Sequence, residues 1–266
     1  ARAAAPSTAA PVVAAAARPD AGAFPLPDAG ATRYHTDAEP PPPVSGLAAR
    51  LVARVGDRLE RDGRLDRAAR VFADAIRAGA QPTQELAQEL LWWIGFPAPA
   101  RSVLVYSGPE EDLVERLDRW CDYAADQGLA RYGLAAVADP AGGGGSAVAF
   151  GVPARLELEP LPRVLERPAR VSIRLRAPGI RDGALLVALS PSGETREIEL
   201  DRRKKTFAGA VRIDAAGVWQ LEVVGRLARG PTVLANFPVY VETPPPATAG
   251  TPARELESTS PRALED

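Results

Sequence analysis

The sequence predicts an α+β domain followed by an all-β sandwich, flanked by disordered N- and C-terminal segments. Three observations lead there. Apolar residues recur at helical spacing through the first folded half. From Pro153 onward the period changes to two. Both ends of the chain are dominated by Ala, Pro and small polar residues. The boundaries that follow are a linker over 1–45, an α+β domain over 46–153, a sandwich over 154–243 and a tail over 244–266.

The linker ends in Pro40 to Pro43 and carries too little bulky apolar surface to offset the entropy of ordering it. It reads as a Pro-stiffened tether. Phe24, Leu26 and Tyr34 are the residues in it that would form a short docking motif, and His35, the chain's sole histidine, also lies there. A first helix is expected from Gly46 to Arg61, with Leu47, Leu51, Val55 and Leu59 on one stripe and Asp62-Gly63 as its stop. A second, from Leu65 to Ala78, buries Leu65, Ala68, Ala69, Phe72, Ala75 and Ile76. The third begins near Pro82 and ends on Trp92 and Trp93 before Gly95. Ser102 to Tyr106 is a buried strand. Ser107-Gly108-Pro109-Glu110 has the form of a capping box for a fourth helix that faces Leu113, Leu117, Trp120, Cys121 and Ala124 inward. Arg131 to Val152 then reads as strand, turn, strand, with the Gly142–Gly145 run in the turn.

Alternating segments follow at 155–159, 170–176, 196–200, 207–213 and 218–224, with a continuous apolar strand at 184–189 and a last strand at 233–241. Turns are expected at Arg181-Asp182-Gly183, Pro191-Ser192-Gly193 and Arg229-Gly230-Pro231, among others. Seven short strands at this spacing suit an antiparallel sandwich of immunoglobulin type, without the disulfide.

The net charge of −2 gives no general attraction to nucleic acid or anionic membrane, and no apolar run reaches the length of a membrane span. The chain contains no methionine and starts Ala1-Arg2-Ala3-Ala4-Ala5-Pro6, which is what cleavage of a signal peptide leaves. The expected location is therefore extracytoplasmic: periplasm, cell surface or secreted. An upstream cysteine, removed from this chain, would supply a lipid anchor.

Chemistry-bearing patterns are scarce. The glycine run lacks the Lys-Ser/Thr and the following helix of a phosphate loop. Cys121 stands at an apolar helical position, and neither folded domain holds a histidine to serve as base. One cysteine and one histidine do not build a zinc site. Glu85 with Glu89 reads as a solvated helix face, and Glu110, Glu111 and Asp112 suit the start of a helix dipole. No cofactor or metal is expected. The basic cluster Arg202-Arg203-Lys204-Lys205, which holds both lysines of the chain, reads as a charged hairpin tip or as a contact for an anionic polymer.

Leu65-Asp66-Arg67-Ala68-Ala69-Arg70-Val71-Phe72-Ala73 together with Arg131-Tyr132-Gly133-Leu134-Ala135-Ala136-Val137 and Ala147-Val148-Ala149-Phe150 resembles the CAP superfamily (cysteine-rich secretory proteins, antigen 5 and PR-1). The likeness covers about 47–152. It implies an α-β-α sandwich and an extracytoplasmic setting. The family's cleft carries two histidines and two acids; Phe72 and Asp74 stand near where the first histidine would fall, so the resemblance implies a degenerate copy with no site residues to carry over. Gly217-Val218-Trp219-Gln220-Leu221-Glu222-Val223 resembles a strand common in bacterial surface immunoglobulin-like domains.

The sequence thus points to a non-catalytic exported bacterial protein with a structural, adhesive or surface-assembly role, whose partner is another protein or an envelope component. One alternative is a module binding lipid, peptide or glycan in the CAP-like cleft, with Trp92 and Trp93 as lining. Another is a hydrolase that works with carboxylates.

Overall fold

The structure, a computed structural model, describes residues 23–250 except 29, 141, 154, 155, 181, 228 and 229. In chain order its elements are β1 (Phe24–Pro25), β2 (Arg33–Tyr34), α1 (Gly46–Val55), β3 (Glu60–Arg61), α2 (Gly63–Arg77), α3 (Gln84–Trp93), β4 (Ser102–Pro109), α4 (Glu110–Asp126), β5 (Leu129–Ala138), β6 (Gly144–Pro153), β7 (Glu157–Leu158), β8 (Leu161–Pro162), β9 (Val164–Leu165), β10 (Ala169–Arg176), β11 (Ala184–Leu189), β12 (Thr195–Arg203), β13 (Thr206–Ile213), β14 (Gly217–Leu227), β15 (Gly230–Val241) and β16 (Thr248–Ala249).

The first lobe is built on a four-stranded sheet in the order β3-β5-β6-β4. Side chains of β6 alternate between two cores, as strand geometry requires. Val148, Phe150 and Val152 face α2 and α3; Ala147 and Ala149 face α1 and α4. The β5–β6 hairpin is the one read from Arg131 to Val152. Gly133 sits where α2 crosses β5: a Cβ there would lie 2.0 Å from the backbone carbonyl carbon of Leu65. That approach lets the Asp66 carboxylate on α2 accept the Leu134 amide at 2.8 Å.

The second lobe is a single eight-stranded sheet, β7-β10-β13-β12-β11-β14-β15-β9, curled on itself. Strand β12 makes the curl. Its residues 195–200 pair with β11 and its residues 201–203 pair with β13. The two halves face each other across a core of Val171, Ile173, Leu175, Phe207, Val211 and Ile213 on one side, and Leu186, Trp219, Leu221, Phe237 and Val239 on the other.

Several expectations are corrected. Strand outweighs helix among the described residues, 43% against 25% in four helices, and the largest element is the curled sheet, so the α+β class with a CAP-like sandwich is not retained. Each of the seven expected segments contributes a strand, the first only at Glu157–Leu158, but they join one sheet, with β9 running parallel to β15, so two separate antiparallel sheets of immunoglobulin type do not form. Periodicity dictates which face each strand buries and leaves its partners open, because pairing is non-local. Two of the expected turns include residues 181 and 229, outside the described set.

The linker is also corrected over its described part. Residues 23–45 pack onto the protein: Tyr34 is fully buried and Thr36 is buried, β1 pairs with β16, and β2 pairs with β8. In the same way 244–250 is partly ordered as β16. The remainder of both terminal segments, 1–22 and 251–266, lies outside the described residues.

Local differences have plain causes. The first helix ends at Val55 because Gly56 takes a left-handed φ of 56°. Asp62 does not stop that helix but caps α2, accepting the Arg64 amide. Ser107 is not an N-cap, since β4 stays paired with β6 through Pro109. α4 has no side-chain cap, and Glu110, Glu111 and Asp112 stand in its first turn, where the positive end of the helix dipole favours negative charge.

Candidate functional site

The densest group of buried charge lies where residues 31–39 pass between the two lobes. Odd and even side chains of this strap go different ways. The Tyr34 ring enters the core of the curled sheet, 4.7 Å from the Phe237 ring centroid. His35, Thr36 and Asp37 turn backbone carbonyls or side chains toward the helical lobe.

Arg64, in the first turn of α2, is the centre of this contact and is fully buried. Its guanidinium donates to the His35 carbonyl at 3.1 Å and to the Asp37 carbonyl. It also reaches the His35 Nε2 at 3.3 Å. Asp62, also fully buried, lies 3.8 Å from Arg64 and 3.7 Å from Arg131. Arg131 in turn donates to the Thr36 carbonyl, while the Thr36 hydroxyl accepts the Leu158 amide at 2.8 Å. Arg61 pairs with Asp66 at 2.6 Å. The α2 N-terminus comes so close that a Cβ on Gly63 would lie 2.5 Å from the Pro40 carbonyl oxygen, and the Gly63 amide donates to the Glu39 backbone carbonyl at 2.9 Å.

On the β side Arg163 does the equivalent work. It is buried, donates to the Ala31 carbonyl at 2.6 Å and the Trp93 carbonyl at 3.2 Å, and lies over the Tyr34 and Tyr240 rings.

Burial governs the titration of this region. Desolvation pushes the Asp66 carboxyl up and the Tyr132 phenol up to about 12. It holds the Arg64 guanidinium below its usual value. Desolvation and the adjacent Arg64 charge hold the His35 imidazole down. A neutral His35 can accept from Arg64 through Nε2, while Nδ1 faces Asp37 at 3.5 Å. The hydroxyl next to it, that of Thr36, is committed to a backbone amide. The arrangement therefore fastens the strap to α2 and β5, and the groups it holds are backbone carbonyls.

The other expected positions fall elsewhere. Trp93 is buried and its indole N–H donates to the Asp28 carbonyl at 3.3 Å. Trp92 is partly buried against the curled-sheet core and donates to the Asn236 carbonyl at 2.7 Å. The two tryptophans thus join α3 to the strap and to β15, and they do not open onto a common cleft. Arg202, Arg203, Lys204 and Lys205 form the exposed β12–β13 hairpin tip. Lys204 takes a left-handed φ of 59°, and Arg202 donates to its carbonyl at 3.1 Å and lies over the Phe207 ring. Glu89 is not simply solvated: it accepts the Gly250 amide at 2.6 Å, and burial pushes its carboxyl up. Glu110 is bridged by Arg50 at 2.7 Å, and Asp112 accepts from the Tyr106 hydroxyl at 3.2 Å. Cys121 is buried and free, with its thiol pushed up by desolvation. Among the described residues no cluster of three His, Cys, Asp or Glu side chains is placed to hold a metal.

The strap network was missed because its acceptors are backbone carbonyls, which leave no mark in a sequence. Asp62-Gly63-Arg64 was the one available signal: a cap, a residue without a side chain, and a charge at an inward helical position.

No protein-family model matches the chain, and no curated protein matches it. Among solved structures it is similar to a bromine derivative of BhCBM56, at 10% identity and TM-score 0.25, covering 30% of this chain and 89% of that one. It is also similar to an engineered protein at 11% identity and TM-score 0.27, covering 34% of this chain and 21% of that one. Likeness at this level assigns neither fold family nor function. No helix among the described residues is long and apolar enough to cross a membrane.

Proposed function

We propose that this protein is a non-catalytic, exported component of a bacterial cell envelope or extracellular assembly, with a structural or adhesive role. The observation that carries the reading is the strap. Buried Asp62, Arg64 and Arg163, with half-buried Arg131, are engaged in fastening one stretch of backbone between two lobes. Charges used this way make a rigid body, and a rigid body suits a spacer or a platform. The feature turned outward for a partner is the basic hairpin tip, where Arg203, Lys204 and Lys205 stand exposed.

The test is co-sedimentation of the purified chain with envelope fragments of the producing bacterium. The expected result is binding, reduced by the triple substitution Arg203→Glu, Lys204→Glu, Lys205→Glu. A chain that stays in the supernatant, or one that hydrolyses envelope polymers and loses that activity on Glu89→Gln, contradicts the reading.

A further inference from the structure

The edges of the two large sheets are treated differently. The curled sheet ends in two-residue strands, β7 and β9. Beyond β7, the open length of β10 carries Arg170 and Arg174 on its exposed face, and such charges discourage a further strand. On the four-stranded sheet, β3 caps one edge, and where β5 runs past it the Leu134 amide is taken by Asp66.

The remaining edge, β4, has none of these protections. It is eight residues long, and its register against β6 runs without a bulge from Ser102↔Gly151 to Pro109↔Gly144. Its sequence Ser-Val-Leu-Val-Tyr-Ser-Gly-Pro holds no charge, and Pro109 stands at the very end. Val105 is 38% exposed, and two strands away Val137 on the same face is 48% exposed. A long, flat, β-branched and aromatic edge is a template for strand addition.

We infer that β4 pairs antiparallel with β4 of a second copy of this chain, joining two four-stranded sheets into one of eight strands across a two-fold axis. The charges beside the strand single out a second copy as occupant. Arg101 precedes β4, and Glu110 and Glu111 follow it, with nothing charged between. A two-fold axis through the strand brings each Arg101 toward the acidic end of the other copy, so the edge is its own complement. Glu110 is already bridged by Arg50, and Arg101 already gives one N–H to the Val233 carbonyl, which leaves Glu111 as the acid that meets the remaining guanidinium donors of Arg101. A parallel arrangement would oppose like charges at both ends. This inference stands on the sheet edge and not on the envelope reading, so either can fail without the other.

Sedimentation equilibrium of the full chain, from about 1 to 500 µM, tests it together with hydrogen exchange of the β4 amides. The expected result is a monomer–dimer equilibrium in which β4 amides slow as concentration rises. Val105→Lys with Ser107→Lys, both at exposed positions, weakens the dimer about tenfold or more while the melting temperature of the monomer holds. Glu111→Arg weakens it less and removes part of its salt dependence. A monomer at every concentration overturns the inference, as does a dimer whose constant is unchanged by the two lysines. A monomer with β4 amides protected at all concentrations also overturns it, since another segment of the chain would then cover the edge.

Discussion

Both lobes bury an arginine where the strap crosses, Arg163 on the β side and Arg64 on the helical side, but among the described residues only the helical lobe takes carboxylates inside as well. The curled sheet has a core of aliphatic and aromatic side chains centred on Trp219, and its ion pairs, such as Arg196 with Glu194 and Asp214, sit at the solvent face. The helical lobe also has apolar cores, but it takes Asp62, Arg64 and Asp66 inside, at the end where the strap crosses. A curled sheet satisfies most of its own backbone through strand pairing. A strap without regular partners leaves carbonyls pointing inward, and buried guanidinium groups are the donors that satisfy several of them at once. The buried charge is thus a consequence of threading an irregular segment between two finished lobes.

The largest effects should come from the centre of each region, by different mechanisms. Trp219→Ala removes the largest buried side chain of the curled sheet and should cost about 3–5 kcal/mol in chemical denaturation. Arg64→Ala should cost a similar ~3–5 kcal/mol, because it leaves the His35 and Asp37 carbonyls without their donor and takes away one of the two guanidinium groups beside buried Asp62. The two variants separate by hydrogen exchange. Arg64→Ala should release residues 31–39 before the rest of the protein, and Trp219→Ala should lower protection throughout the second lobe.

Acid should act on the strap selectively. Burial and Arg64 hold the His35 imidazole below its usual 6.5, so the unfolded chain takes up the proton first as pH falls. This contribution to stability is complete above about pH 6.5 and is lost progressively below it. The denaturation midpoint should therefore fall between pH 7.5 and 5.5. His35→Gln should flatten that slope, since the chain has one histidine. A slope unchanged by the substitution would place the titrating group elsewhere.

Smaller effects sharpen the same contrast. The Tyr34 hydroxyl is buried beside the Arg163 guanidinium, without a well-formed hydrogen bond among the described residues, so Tyr34→Phe should change stability by less than about 1 kcal/mol, while Tyr34→Ala should be severe. At the periphery Arg54→Ala, which breaks an exposed pair with Asp118, should leave the melting temperature unchanged within error.

Much of the local structure was legible. The Leu47, Leu51, Val55 stripe, the alternation in β10 and β13, and the β5–β6 hairpin are read directly from spacing, because burial on one face imposes that spacing. What was not legible depends on distant partners. Nothing in Thr195 to Arg203 says that the strand changes neighbours halfway. Nothing in the Ala- and Pro-rich composition around Tyr34 says that Phe24 and Leu26 pack against the α2–α3 core while Tyr34 fills the other lobe. These residues are part of the cores of the chain itself. An arginine in a helix is usually solvated, so the inward position of Arg64 becomes meaningful once the strap lies across it.

The account rests on the strap being part of the folded body. Native-state hydrogen exchange of residues 31–39 tests this most directly. Amides that donate within the protein, those of Ala31 and His35, should exchange as slowly as the cores of the two lobes and should accelerate on Arg64→Ala. Exchange at the rate of an unstructured peptide in the unaltered protein would contradict the account.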